Sequence, residues 1–304
     1  MDSNSKKTLI VVAGPTAVGK TALAIKLARH YQTDIISADS RQFYREMSIG
    51  TAKPTTEELA LAKHHFVNSH SVTEDYNVGD FEQQGSEILE QVFAGHDVAI
   101  LAGGSGLYIK AICEGFDDVP SANKFIRAEL NTTFQERGLG FLREELKTAD
   151  PVYYAQVDIN NPQRIIRALE VIRETGQPFS SFRTASSNPK PRYFNIIKIG
   201  LNLPRNILYQ RINERVDDMM QQGLLDEVKS LLPYRGYNAL NTVGYSELFD
   251  YLDGDTDLAT AMALIKQNTR RFAKRQLTWF NKDKGISWFE PGHFDEVVKY
   301  IDAN

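Results

Sequence analysis

The chain has 304 residues, 42% of them hydrophobic and 24% charged, with a formal net charge of −4. Such a composition belongs to a globular protein with a substantial core, and it excludes a chain held to nucleic acid by bulk charge, so any polyanion must be met by a local basic patch. A single cysteine, Cys113, excludes an intramolecular disulfide and a cysteine-rich zinc site, and the apolar run after the polar N-terminus ends at Gly14, too short for a signal-peptide core or a membrane span, which makes the cytoplasm the expected location.

After the polar "MDSNSKK" comes "TLIVVA" from Thr8, an apolar run suited to a buried strand. It leads into "GPTAVGKT", residues Gly14, Pro15, Thr16, Ala17, Val18, Gly19, Lys20 and Thr21, a full match to G-x-x-x-x-G-K-[ST] between a strand and a helix. Glycines let the backbone wrap an anion, amides at the helix start point at it, Lys20 adds charge and the Thr21 hydroxyl can reach Mg²⁺. The loop alone does not name its ligand, because any terminal pyrophosphate satisfies it.

The second strand, "DIISA" from Asp34, runs into "SADSRQFY" and leaves Asp39 and Ser40 at its C-terminal end, where ligands of open α/β sheets collect. A loop, "IGTAKP", follows with Thr51 and Lys53. A third strand, "DVAILA" from Asp97, ends in a second glycine-rich turn, "GGSGLY", carrying Ser105. Taken singly, Asp39 could serve as a helix cap or a Mg²⁺-water ligand, and the turn could be only a turn.

From Asp117 to Arg192 the apolar residues fall at helical spacing, as in Phe125, Leu130, Phe134 and in Ile165, Ile166, Leu169, Ile172; the loop "RTASSNPKPRY" then returns to a fourth strand, "NIIKIGL" from Asn195. Two long amphipathic helices are expected over residues 206–232 and 257–280. The later one holds "KQNTRRFAKRQLTWFNK", Lys266 to Lys282, with six basic residues, no acidic one and interleaved aromatics, which suits phosphate contact with base stacking and equally a packed helix with a solvated face. The alternation of strand and helix predicts an α/β protein: a P-loop NTPase-like parallel sheet flanked by helices over 1–116 and 193–304, with a small all-helical domain inserted over 117–192.

In this order, "GPTAVGKT", "SADSRQFY", "IGTAKP", "GGSGLY", "NPQRIIRALEV", "LYQRINERVDDMM", "VGYSE" and "AKRQLTWF" resemble the tRNA dimethylallyltransferases, also called tRNA isopentenyltransferases, over nearly the whole chain. The resemblance implies that the loop, Gly14 to Thr21, and Arg215 hold the pyrophosphate of dimethylallyl diphosphate, with Mg²⁺ near Thr21. The prenyl group then goes to N6 of the adenine beside the anticodon, at position 37. Asp39 matches the family's general base, with Lys20, Thr21 and Ser105 completing the catalytic set. Contacts to the tRNA anticodon stem-loop are implied for Asp39, Ser40, Arg41, Gln42, Ser105, Arg127, Gln163, Arg164, Arg167, Arg271, Lys274 and Arg275.

Charge pattern alone leaves Arg215 and Arg211 as a solvated helix face paired with Glu214, Asp217 or Asp218. Two departures from the family pattern stand out: Ser105 replaces a threonine, keeping the hydroxyl, and Ser246 replaces a basic residue. The single cysteine also rules out the zinc finger of eukaryotic members, so the chain looks bacterial in type, and a monomer is expected. The competing readings are a P-loop kinase acting on a small molecule or nucleoside, and a non-catalytic RNA-binding protein that uses the loop as a switch.

Overall fold

The computed structural model describes residues 7–116, 119–120, 123–183 and 191–304. They form two compact units, Met1–Cys113 with Arg192–Asn304, and Glu114–Pro191.

The first unit is built on a sheet of six parallel strands, β1 (Thr8–Ala13), β2 (Ile35–Ser37), β3 (His64–His65), β4 (Val98–Gly103), β5 (Asn195–Leu201) and β6 (Ile286–Phe289), in the order β3-β2-β4-β1-β5-β6. β1 is central because nearly all of "TLIVVA" is buried, with Ile10 and Val12 on one face of the sheet and Leu9 and Val11 on the other. The helices are α1 (Lys20–Tyr31), α2 (Thr56–Leu61), α3 (Val78–Gly95) and α4 (Gly106–Glu114) from the first half of the chain.

The inserted unit contains α5 (Lys124–Ala149), α6 (Pro151–Tyr154) and α7 (Pro162–Thr175). The first unit then resumes with α8 (Arg205–Gln221), α9 (Leu224–Ser230), α10 (Tyr245–Leu252), α11 (Leu258–Phe280) and α12 (Phe294–Asp302).

The four apolar runs expected to be strands all pair in the sheet, and two further strands flank them. β3 is two residues long and half-buried, and β6 is half-buried throughout, so neither carries the buried apolar run that marks a central strand. The single helix expected over 206–232 is corrected to two: Gly223, at φ 97, ends α8 and opens α9 in a left-handed conformation that only glycine adopts without strain. The helix expected over 257–280 is α11, capped by the Asp257 side chain on the Thr260 amide.

In the inserted unit, Leu130, Leu142, Leu146, Ile165, Ile166 and Leu169 form a core of their own. Phe125, expected on the same apolar face, is 88% exposed in the first turn of α5. Gly138, at φ 75, kinks α5, and Asn161 caps α7 before Pro162 at its first position. The loop expected from Arg183 to Tyr193 lies for the most part outside the described residues, as do Asp117, the expected first residue of the insertion, and nearly all of "MDSNSKK".

Candidate active site

The C-terminal end of β1 gives way to the glycine loop. Gly14 sits at φ 148, and a side chain there would meet the Leu201 carbonyl oxygen at 2.6 Å, so both the backbone angle and the close approach to β5 require glycine. Ala17 at φ 65 and Gly19 at φ 104 complete the turn, and Val18 is buried beneath it. The first amides of α1 have no intrahelical acceptor and carry the positive end of the helix dipole, an arrangement that suits an anion. Lys20 Nζ folds back to donate to the Pro15 carbonyl at 2.7 Å. Burial pushes the Lys20 ammonium down from 10.5 to about 8; the Asp39 carboxylate pulls the other way and Arg215 adds to the lowering.

A cavity of about 440 Å³ is lined by Thr16, Ala17, Gly19, Lys20 and Thr21 from the loop, Asp39 and Gln42 from the second strand end, Thr51 to Thr55, and Arg215, Met219, Phe272 and Gln276 from the later helices. A second cavity, about 220 Å³, shares Thr16, Asp39, Thr51, Ala52, Arg215, Met219 and Phe272 with it and adds Ser40, Arg41, Ser105, Thr242, Val243, Gly244 and Thr269. Asp39 and Arg215 therefore line both cavities.

Asp39 is fixed by its own turn: Oδ1 accepts from the amides of Arg41 at 3.0 Å and Gln42 at 3.4 Å. Among the described residues Oδ2 has no protein hydrogen bond, which leaves it for a substrate hydrogen. The Ser105 hydroxyl accepts from the Ser40 amide at 3.0 Å and donates to the Ser40 hydroxyl at 3.3 Å, tying the third strand end to the second. Gln42 Nε2 donates to the carbonyls of Thr51 and Ala52 at 3.3 and 3.2 Å, so its amide hydrogens are committed, and Oε1 accepts from the Ser37 hydroxyl at 3.4 Å.

Arg215 is half-buried on α8 and closes no ion pair within 4 Å among the described residues; burial presses its guanidinium below the ordinary range, against the pull of Glu58 and Asp218. The acidic neighbours expected to neutralise it are occupied elsewhere or too distant to pair, with Asp217 bound to Lys266 at 2.6 Å and Glu214 to Gln210 at 2.8 Å. Arg211 does not join this site: it is exposed and lines a different cavity of about 210 Å³ beside Gly19, Lys26 and His293.

Sequence reasoning missed Gln276. Buried on α11, it accepts from the Thr16 amide at 2.8 Å and donates to the Gly104 carbonyl at 2.9 Å, bridging the phosphate loop and the "GGSG" turn. The signal was a polar residue at a core-facing position of an amphipathic helix, in a segment where the basic residues drew attention. The outer face of α11 presents Arg271, Lys274 and Arg275 to solvent. Arg271 donates to Asn268 at 3.2 Å, the Arg275 guanidinium lies 5.8 Å from the Phe272 ring, and Lys274 lines a separate cavity with Tyr209, Trp288 and Phe289.

In the inserted unit Gln163 and Arg164 are exposed in the first turn of α7. Arg127 and Arg167 approach the fully buried Glu170 at 3.9 and 3.4 Å, and Arg167 also donates to the Pro120 carbonyl at 2.6 Å. These two arginines thus neutralise a buried carboxylate in their own unit. Ser246, where the family often has a basic residue, turns its hydroxyl back to the Thr242 carbonyl at 3.2 Å.

Mg²⁺ takes oxygen ligands, keeps several waters and is commonly held by one or two protein groups plus substrate phosphates. The Thr21 hydroxyl and the Asp39 carboxylate line the same cavity as the glycine loop, and among the described residues no group of three or more His, Cys, Asp or Glu side chains could hold a metal alone. The donor set fits a cation brought with a phosphorylated substrate. Among the described residues no helix is long and apolar enough to cross a membrane.

The chain is 55% identical over 294 residues to the tRNA dimethylallyltransferase of Christiangramia forsetii, covering 96% of this chain and 95% of the relative. It is 50% identical over 297 residues to that of Cytophaga hutchinsonii, covering 98% and 97%. The solved full-length tRNA isopentenylpyrophosphate transferase of Bacillus halodurans superposes with a TM-score of 0.71 at 36% identity, covering 98% of this chain and 96% of the other. A eukaryotic dimethylallyltransferase solved while acting on tRNA gives a TM-score of 0.74 at 26% identity, covering 90% of this chain and 69% of the other. The IPP transferase family model matches residues 42–283, and with these likenesses the chain belongs to the IPP transferase family.

Proposed function

We propose that the protein transfers the dimethylallyl group of dimethylallyl diphosphate to N6 of adenine 37 of tRNA, releasing diphosphate. The observation that carries this reading is the junction of the two cavities at Asp39 and Arg215: the glycine loop, Lys20 and Arg215 line one, and Asp39, Ser40, Arg41 and Ser105 line the other.

The diphosphate sits on the loop amides, with Lys20 released from Pro15 to meet it and Arg215 opposite. As the allylic C–O bond breaks, its electron pair leaves with the diphosphate, and these fixed donors stabilise the growing negative charge. Met219 and Phe272 supply an apolar wall for the prenyl group between the cavities. The adenine amine is a weak nucleophile because its lone pair is delocalised into the ring. Asp39 Oδ2 accepts one N6 hydrogen as the N–C bond forms, acting as general base while Oδ1 stays tied to its own turn. The adenine reaches Asp39 by leaving the stack of the anticodon loop, which costs less than in a duplex. Mg²⁺, held by Thr21 with Asp39 within reach, supplies further positive charge to the leaving diphosphate when bound. The exposed Arg271, Lys274 and Arg275 of α11, and Gln163 and Arg164 of the inserted unit, contact the stem-loop phosphates; Arg127 and Arg167 support that surface through Glu170. The enzyme works as a cytoplasmic monomer.

The test is to incubate the purified protein with Mg²⁺, unmodified tRNA and dimethylallyl diphosphate, digest the RNA and look for N6-prenylated adenosine by mass spectrometry. A product that depends on Lys20 and Asp39 is expected. No product, with ATP consumed when small acceptors are offered, would replace the reading with a kinase.

A further inference from the structure

Glu227, on α9, lies outside every motif that marks the site. Its carboxylate nevertheless accepts three successive backbone amides of the "IGTAKP" loop region, from Ser48 at 2.9 Å, Ile49 at 2.7 Å and Gly50 at 3.0 Å. It also accepts the hydroxyl of Tyr245, from the "VGYSE" segment, at 2.6 Å. Consecutive N–H groups converging on one point form an anion nest, here filled by a side chain of the protein itself. Gly50 is required at this crossing: a Cβ there would lie 2.5 Å from the Tyr245 ring.

The tether has a destination. The loop continues through Thr51 to Ala52, which is held at φ 48, a left-handed conformation that a non-glycine residue keeps only when its surroundings enforce it. The carbonyls of these two residues take both amide hydrogens of Gln42, and the Gln42 backbone amide in turn donates to Asp39 Oδ1. A continuous path of hydrogen bonds and backbone thus runs from Glu227 to the turn that carries Asp39. The phosphate loop is held independently, by Gln276 and by its packing on Leu201.

We infer that Glu227 is a positioning residue for the transfer step: it sets the loop that fixes Gln42 and thereby the placement of Asp39, while the glycine loop that cradles the diphosphate keeps its own ties. This rests on the reading of Asp39 as the base for prenyl transfer. A small misplacement of a reacting group is enough for a large loss, since errors of about 1 Å cost up to ~10²-fold in rate.

The experiment compares wild type, Glu227→Gln, Tyr245→Phe, Gln42→Ala and the Glu227→Gln/Gln42→Ala double variant, with wild-type prenyl transfer established in the same assay so that failure of the reaction itself is seen separately. Glu227→Gln removes the charge and places an NH₂ among donors; kcat should fall about tenfold or more with KM for dimethylallyl diphosphate unchanged within about twofold. Tyr245→Phe should lose about threefold. In the Gln42→Ala background the Glu227 substitution should cost less than half of its wild-type effect, because the path is already cut. Hydrogen exchange at residues 48–50 should accelerate in Glu227→Gln without catalysis being involved. Additive losses in the double variant, an equal rise in the diphosphate KM, or a lowered Tm with kcat intact would overturn the inference and leave Glu227 a stabilising residue only.

Discussion

The two sides of the cleft are held by different kinds of force. The phosphate side is largely local: the chain from Gly14 to Thr21 makes its own cradle from left-handed turns and a helix start, and Gln276 and Arg215 join it from distant helices. The base side is assembled from long range. Asp39 and Ser40 come from one strand end and Ser105 from another, while Glu227, Tyr245 and Gln276 come from the last third of the chain. A local cradle tolerates changes elsewhere, whereas an assembled crevice fails when any one tie is cut.

The largest test of this contrast is Asp39→Ala. It should lower kcat by about 10²–10⁴-fold, the usual contribution of a positioned base, with the diphosphate KM little changed, as steady-state kinetics with each substrate varied would show. A lost diphosphate affinity instead would make Asp39 a metal ligand and merge the two sides into one. Lys20→Ala should cost about 10²-fold, the scale of removing one charge-stabilising donor, and should weaken diphosphate binding as well.

The Lys20 ammonium also gives the phosphate side a pH signature. Because its value lies near 8 in the free protein, the protonated form that favours an anion is full below pH 7 and is lost as pH rises through 8. Diphosphate affinity measured by calorimetry should therefore fall above pH 8, by up to about tenfold per unit for a single required proton, and Lys20→Arg should remove that bend up to pH 10. An unchanged profile in the arginine variant would show that another group titrates.

This division also decides what could be read from the chain. The cradle is written in eight consecutive residues, and four strands are written in buried runs such as "TLIVVA". "SADSRQFY" and "GGSGLY" mark where strands end, so their meeting at one crevice follows from the order of a parallel sheet. Glu227 and Gln276 were not legible because hydrogen bonds across the fold leave no periodic or local pattern; each looks like an ordinary polar residue on an amphipathic helix. β3 and β6 were missed for a related reason, since edge strands half open to solvent need no apolar run.

Gly50→Ala sharpens the comparison on the base side. The new methyl must displace the Tyr245 ring or the loop, a cost of about 1–3 kcal/mol for overpacking, and it loosens the grip on Glu227. The variant should melt lower and transfer more slowly, with diphosphate binding by calorimetry retained. Gly138→Ala, with nothing within 4 Å of the new atom but φ 75, carries backbone strain in the inserted unit and should leave the crevice intact.

The smallest expected effect separates the two faces of α11, the helix that serves both sides of the cleft. Its inner face carries Phe272 from the wall and the buried Gln276, yet the helix also presents exposed cations whose partners are few. Lys266 is bound to Asp217 at 2.6 Å and Arg270 to Asn213 at 2.6 Å, so their charges already serve the fold. Lys274 is exposed and, among the described residues, Arg271 reaches only Asn268, which makes these two available to phosphates. If each meets one phosphate, Arg271→Ala and Lys274→Ala should each reduce the slope of log affinity for tRNA against log salt by about 0.7–0.9, whereas Lys266→Ala should lower stability and leave the slope unchanged. Equal slopes in all three variants and wild type would make the outer face of α11 a solvated surface, and RNA recognition would then rest on the crevice and the inserted unit.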